Sequence, residues 1–217
     1  MNIKIMNRIV FKDLEDRIRK VPLLNARNSN GSSIFVYENA DIELRNVSPD
    51  ELNPTTFYLL RKNLEFQRNL RMYMLSEYGI DTLKLDCALE LENFDSGEEW
   101  TLMPPVVEVS EESVMLNPEN DLKYDLIIKV KIPLINDGAH RIYLSRELGE
   151  RINVIHINDI LKEHPLYAYP NPWDMVNIVD TVPKIPGEKK FYRVSNPYNL
   201  YRDFGVLGCG APRKLGT

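Results

Sequence analysis

The sequence predicts an α+β domain, a small mixed sheet packed against helices, followed by an irregular segment rich in proline and aromatic residues. Three observations carry this. First, an apolar run from Leu126 to Ile135 ends in Asn136-Asp137-Gly138. A helix-like stretch follows from His140 to Leu148, then Gly149 and a second apolar run, Ile152 to Ile157. Turn chemistry and the change of hydrophobic period make this a strand, a turn, a helix and a strand. Second, Thr55 to Tyr78 carries apolar residues at Leu59, Leu60, Leu64, Leu70, Met74 and Leu75 and stops at Gly79, the pattern of a long helix. Third, His164 to Trp173 holds Pro165, Pro170 and Pro172 among Tyr167, Tyr169 and Trp173. That spacing forbids a long helix and predicts an ordered loop wrapped over the core.

The remaining elements follow in chain order. Ile9 to Val21 reads as a short helix and Asn25 to Ser33 as a polar loop. Ile34 to Tyr37 and Ile42 to Val47 read as short strands. Ser48-Pro49-Asp50-Glu51 starts a turn or helix, because serine before proline with acids in the first turn is a capping pattern. Leu83 to Leu91 fits helix or strand, and Asn93 to Glu99 is an acidic loop. Pro104-Pro105 precedes a strand at Val106 to Val109. Asn117 to Asp121 is a strong turn before a strand at Tyr124 to Ile132. Trp173 to Val182 reads as a helix, and Gly205 to Thr217 as a mobile tail. Strands near Ile42, Val106, Ile127 and Val154 are expected to form the sheet, with Leu144 and Leu148 of the His140 helix facing it. The organisation is an N-terminal extension at 1–41, a core at 42–160 and a C-terminal extension at 161–217.

Composition narrows the function classes. The 217 residues are 43% apolar, enough for one sizeable core or two small ones. The formal charge of −5, from 27 basic and 32 acidic residues, disfavours a general nucleic-acid binder. The one candidate basic face, Arg61, Lys62, Arg68 and Arg71, also reads as the solvated side of the long helix. Cys87 and Cys209 lie far apart, without the spacing of a disulfide framework or a zinc cluster. No apolar run reaches transmembrane length, and Met1 to Lys20 lacks a signal-peptide core. A cytoplasmic protein with no membrane partner is the expectation.

The Asp-Gly turn is the most informative local feature. A helix opening at Gly138-Ala139-His140-Arg141 presents free backbone N–H groups, an imidazole and a guanidinium at one end, a ready phosphate site. Plainer readings exist for each residue. Asp137-Gly138 could be a hairpin turn, and Asp137 an N-cap. His140 could be a structural hydrogen-bonding residue. Arg141 can grip phosphate bidentately or pair with an acid such as Glu51 or Glu108. Glu51 could be no more than a first-turn acid favoured by the helix dipole. Trp173 could be core or a substrate lid.

These residues carry a resemblance. Asp137-Gly138-Ala139-His140-Arg141, the helix ending Leu148-Gly149 and the next strand resemble the core of the ParB/sulfiredoxin-like superfamily. Pro104-Pro105-Val106-Val107 resembles the segment that precedes that core. Ile42-Glu43-Leu44 through Ser48-Pro49-Asp50-Glu51 resembles the first strand and acidic turn of the ParB-like free serine kinases. The resemblance covers Ile42 to Ile157. It implies a phosphotransferase moving a phosphoryl group from ATP or ADP to a small hydroxyl acceptor, an amino acid or a nucleoside. Gly138, Ala139, His140 and Arg141 would cradle the phosphates, and His140 and Arg141 would offset the charge on the transferred group. Asp137 would contribute to a Mg2+ site, and Glu51 would act as base. The alternative is a nucleotide-binding regulatory or DNA-associated ParB-like protein without kinase activity. Two departures matter. Ala139 stands where sulfiredoxins carry their reactive cysteine, so that chemistry is out. No helix-turn-helix pair follows the core.

Overall fold

The computed structural model of the chain describes residues 2–116 and 126–209. It is an α+β fold with a four-stranded mixed sheet, a three-stranded antiparallel sheet and a short two-stranded pairing. The elements run β1 (Ile3–Val10), α1 (Phe11–Ile18), β2 (Asp41–Val47), β3 (Tyr58–Leu60), α2 (Arg61–Tyr78), β4 (Cys87–Asn93), β5 (Glu98–Leu102), β6 (Val106–Leu116), β7 (Leu126–Asp137), α3 (Ala139–Glu147), β8 (Ile152–Asn158) and β9 (Asn177–Val179).

The central sheet has the order β2-β8-β6-β7. β6 and β7 are antiparallel, β8 runs parallel to β6, and β2 is antiparallel to β8. The connection from β7 to β8 therefore passes β6, and α3 makes that crossing. Ile142 of α3 sinks between Val107, Ile135, Ile152 and Val154. Leu144 is buried as expected, but Leu148 is 48% exposed. Leu148 ends the helix as its C-cap, so its side chain leaves the helix face and Ile142 takes the sheet-facing place. The second sheet, β1-β4-β5, packs Ile3, Leu89, Leu91 and Leu102 against Leu70 and Met74 of α2.

Other expectations need correction. Ile34 to Tyr37 is not a strand but runs into a turn; Val36 and Tyr37 are apolar there because they are core residues. The long helix starts at Arg61, not Thr55. The threonine hydroxyls spend themselves on backbone carbonyls instead: Thr55 Oγ1 donates to Ile135 O at 2.9 Å and Thr56 Oγ1 to Tyr58 O at 3.1 Å. Leu59 is buried from β3, which pairs in parallel with β9. Trp173 to Val182 is accordingly one short 3-10 turn followed by β9 rather than a helix. β1 and β5 had no sequence counterpart. The Asn117 to Asp121 turn and most of the Gly205 to Thr217 tail lie outside the described residues, and 204–207 form a 3-10 turn.

One buried polar network binds distant parts of the chain. Arg202 Nε and Nη2 donate to both carboxylate oxygens of Glu108, at 2.9 and 2.8 Å. Arg202 and Glu108 are each 1% exposed. Asn136 Nδ2 donates to Glu108 Oε1 at 2.7 Å, and the Tyr37 hydroxyl donates to the same oxygen. Asn136 reaches inward because the β6–β7 register skips it: Val106 pairs with Asp137 and Val107 with Ile135. Burial works against the Arg202 charge, but the Glu108 carboxylate outweighs it and holds the guanidinium pKa above its ordinary value.

Candidate functional site

The Asp-Gly turn sits where β7 ends against the first residue of β6. Gly138 is the helix N-cap with φ +80°. A Cβ at Gly138 would lie 2.6 Å from Pro105 Cβ and 3.0 Å from Pro105 Cα. Pro105 thus forms the wall against which the turn closes, which ties Pro104-Pro105 to Asp137-Gly138. The hairpin reading of the turn is excluded, because a helix follows.

α3 begins without a side-chain cap, so Asp137 is not an N-cap. The Arg141 amide already donates to Gly138 O at 2.9 Å. That amide is therefore not left for a ligand, so the loop offers fewer N–H groups than its four residues suggested.

A cavity of about 720 Å³ opens at this helix end. Asp137, Gly138, His140 and Arg141 line one side; Asn63, Phe66 and Gln67 of α2 line another. Glu98, Glu99 and Trp100 of β5 add to the lining, with Cys209 from the C-terminal segment. The volume is within the range of small-molecule sites. Ion pairs hold α2 against the far end of α3: Arg68 to Glu147 at 2.6 Å and Arg71 to Glu150 at 2.8 Å.

Arg141 is 6% exposed, and its Nη1 has no hydrogen-bond partner among the described residues. It pairs with neither Glu51 nor Glu108. Desolvation lowers its pKa, while the Asp137 charge acts the other way. A buried guanidinium nitrogen without an acceptor is costly, roughly 1–3 kcal/mol and more for a charged group. The cavity is where an anion would meet it. Burial also drives the Cys209 thiol up to about 12, with Asp137 adding and Arg141 opposing, so no thiolate forms there near neutral pH.

His140 is occupied from one side. Its Nε2 accepts from the Leu60 N–H at 3.1 Å, which requires that nitrogen to be unprotonated. Burial lowers its pKa below the ordinary value, with Asp137 opposing. The imidazole is neutral and keeps Nδ1–H as its donor, so it can hydrogen-bond an anion but brings no charge. Because the unfolded chain takes up the proton first, stability is full above about pH 6.5 and is lost as the pH falls toward the folded pKa. His156, whose pKa burial also lowers, adds to this slope. His140→Gln is expected to flatten it in urea unfolding between about pH 7.5 and about pH 5. An identical slope in the variant would mean that His140 is not buried neutral.

Glu51 is not at the cavity. Its Oε1 accepts from the Ser48 N–H at 3.1 Å, closing a capping box, and lies 3.8 Å from Arg151 Nη1. Its neighbour Asp50 pairs with Arg146 of α3 at 2.7 Å. Arg146 is five residues beyond Arg141, about 7–8 Å along the helix. The acidic turn therefore packs against the end of α3 opposite the cavity. Trp173 covers this end, donating from Nε1 to Pro49 O at 3.1 Å and meeting the Tyr143 ring at a tilt; it is structural, not a lid over the cavity.

A family model described as the ParB CE domain matches residues 13–179. The chain belongs to the ParB CE domain family. The match takes in the Pro-Pro segment, the Asp-Gly turn, α3 and all of α2. No curated protein and no solved structure matches the chain significantly. Within this ParB CE domain, sequence reasoning missed Phe66, Gln67 and Trp100, and beyond the matched residues it missed Cys209. Asn63 and Gln67 stand one helical turn apart, a spacing that puts both on one face, but nothing in the sequence set that face against the Asp-Gly turn.

Proposed function

We propose that this ParB CE domain binds the phosphate chain of a nucleotide, ATP or ADP, in the cavity at the N-terminus of α3. The buried, unpartnered Nη1 of Arg141 carries this reading. The amides of Ala139 and His140, the Nδ1–H of His140 and the positive end of α3 add donors in the same place. Among the described residues no group of three or more His, Cys, Asp or Glu could hold a metal by itself. A Mg2+ ion fits only as a phosphate-bound one, with Asp137 supplying one carboxylate and water the rest. There it would neutralise phosphate charge.

Binding is better supported than transfer through Glu51, whose carboxylate is used in its capping box. Glu51→Gln is expected to leave nucleotide affinity unchanged, and any phosphotransfer as well. The second reading, transfer to a small hydroxyl acceptor, draws support from the acidic residues that line the cavity with Arg141: Asp137, Glu98 and Glu99. The DNA-associated alternative draws little, because Arg61, Arg68 and Arg71 are each ion-paired to acids of the same chain. No helix among the described residues is long and apolar enough to cross a membrane.

Titration with ATP, ADP, CTP and GTP in magnesium tests the reading. A ligand at 100 times its dissociation constant stabilises by about 2.7 kcal/mol, which a thermal shift detects. Arg141→Ala should weaken nucleotide binding by roughly 1.5–3 kcal/mol, the range for a hydrogen bond to a charged group. Unchanged affinity for every nucleotide in a folded Arg141→Ala protein would refute the assignment.

A further inference from the structure

Two residues that line the cavity each hold a buried polar atom without a partner among the described residues, and the two atoms have opposite hydrogen-bonding needs. Among the described residues Arg141 Nη1 is a donor without an acceptor, and Gln67 Oε1 is an acceptor without a donor. Both residues line the same space, Arg141 from α3 and Gln67 from α2. They do not satisfy each other. A ligand that satisfied both would carry an anion at one end and a hydrogen-bond donor at the other. Gln67 is also flanked by aromatic surface: Phe66 is 41% exposed, and Trp100 lines the cavity. Flat aromatic surface of this kind stacks nucleobases, at about 1–3 kcal/mol per base.

We infer that the α2 face of the cavity is a nucleobase site and that Gln67 reads adenine, with Phe66 and Trp100 as the stacking surface. The inference rests on the phosphate reading of Arg141. A glutamine amide offers an acceptor and a donor side by side. Adenine presents the complement, its N6 amino group donating and N7 accepting. The same edge of guanine offers two acceptors, O6 and N7, and would leave Gln67 Oε1 unpaired. Asn63, on the same face of α2, lies within reach of the sugar or the base edge and completes the polar lining.

The test compares three probes on the full chain: ATP, purine riboside triphosphate, which lacks the 6-amino group, and inorganic tripolyphosphate. The parent protein should prefer ATP over purine riboside triphosphate by about 5- to 150-fold, the range for a bidentate amide–base pair. Gln67→Leu should abolish that preference while leaving tripolyphosphate affinity at the parental level. Gln67→Glu, which still accepts from N6 but cannot donate to N7, should keep a preference for ATP while binding both nucleotides more weakly, and guards against a packing artefact of leucine. Equal binding of ATP and purine riboside triphosphate by the parent, or a preference that survives Gln67→Leu, would overturn the adenine site. The phosphate reading would then still stand if tripolyphosphate binding depended on Arg141. If the parent binds neither ATP nor tripolyphosphate, both fall together.

Discussion

Arg202→Met is expected to lower the free energy of unfolding by about 3–5 kcal/mol, the usual effect of removing one partner from a buried ion pair. The physical reason is the carboxylate left behind. Glu108 is almost wholly shut from water, and among the described residues Arg202 is its only charged hydrogen-bond donor. Asn136 and Tyr37 would still donate to it, but neither offsets its charge. The guanidinium also donates to the carbonyls of Pro165 and His164, at 3.1 and 2.9 Å, so its loss frees the start of the proline-rich loop from the sheet. For a chain of this size each kcal/mol shifts Tm by about 2–4 °C, so a drop of roughly 6–20 °C should be seen. The double variant Arg202→Met with Glu108→Leu should recover a large part of the loss, because the stranded charge is then gone. A single variant within about 1 kcal/mol of the parent in urea unfolding would show that the pair is not buried as described.

Gly138→Ala should cost about 2–5 kcal/mol, from two sources. A left-handed backbone at a non-glycine residue costs about 1–2 kcal/mol. The added methyl also meets Pro105 at 2.6 Å, with the Pro105 backbone Cα at 3.0 Å, and overpacking of this kind costs about 1–3 kcal/mol. Gly79→Ala separates the two. Gly79 has φ +66° as the C-cap of α2, but nothing lies within 4 Å of its would-be Cβ. It should show the backbone cost alone. If Gly138→Ala and Gly79→Ala destabilise equally in urea, the Pro105 contact contributes nothing. The substitution should also weaken nucleotide binding, because shifting the turn moves the Ala139 and His140 amides together with Arg141.

Local chemistry read directly from the chain survived into the fold. Asp137-Gly138 followed by a helix and then Ile152 to Ile157 is determined by a turn that needs a positive φ, a helix C-terminus at Gly149 and two apolar runs. Each of these is a short-range property. The capping box of Ser48 and Glu51, the stop at Gly79 and the proline-broken segment after His164 belong to the same class. The strands of the central sheet were legible because their apolar faces are continuous.

What failed to show was settled by contacts between residues far apart in the chain. Thr55 to Leu60 falls inside the long helix that the sequence predicts, yet Tyr58 to Leu60 pair with Asn177–Val179, more than a hundred residues on. β5, with Glu98 and Glu99, looks like an acidic loop until β4 supplies its partner strand. The site divides along the same line. Arg141 and Gly138 were visible because a helix start is local. Whether Arg141 met an acid was not: Glu108 went to Arg202, and Glu51 closed its own cap, which left the guanidinium Nη1 without a partner among the described residues. The far wall of the cavity, with Gln67 and Trp100, exists only because α2 and β5 pack beside the end of α3. No periodicity along the chain encodes which surfaces face each other across an empty space. Packing of the whole fold decides that.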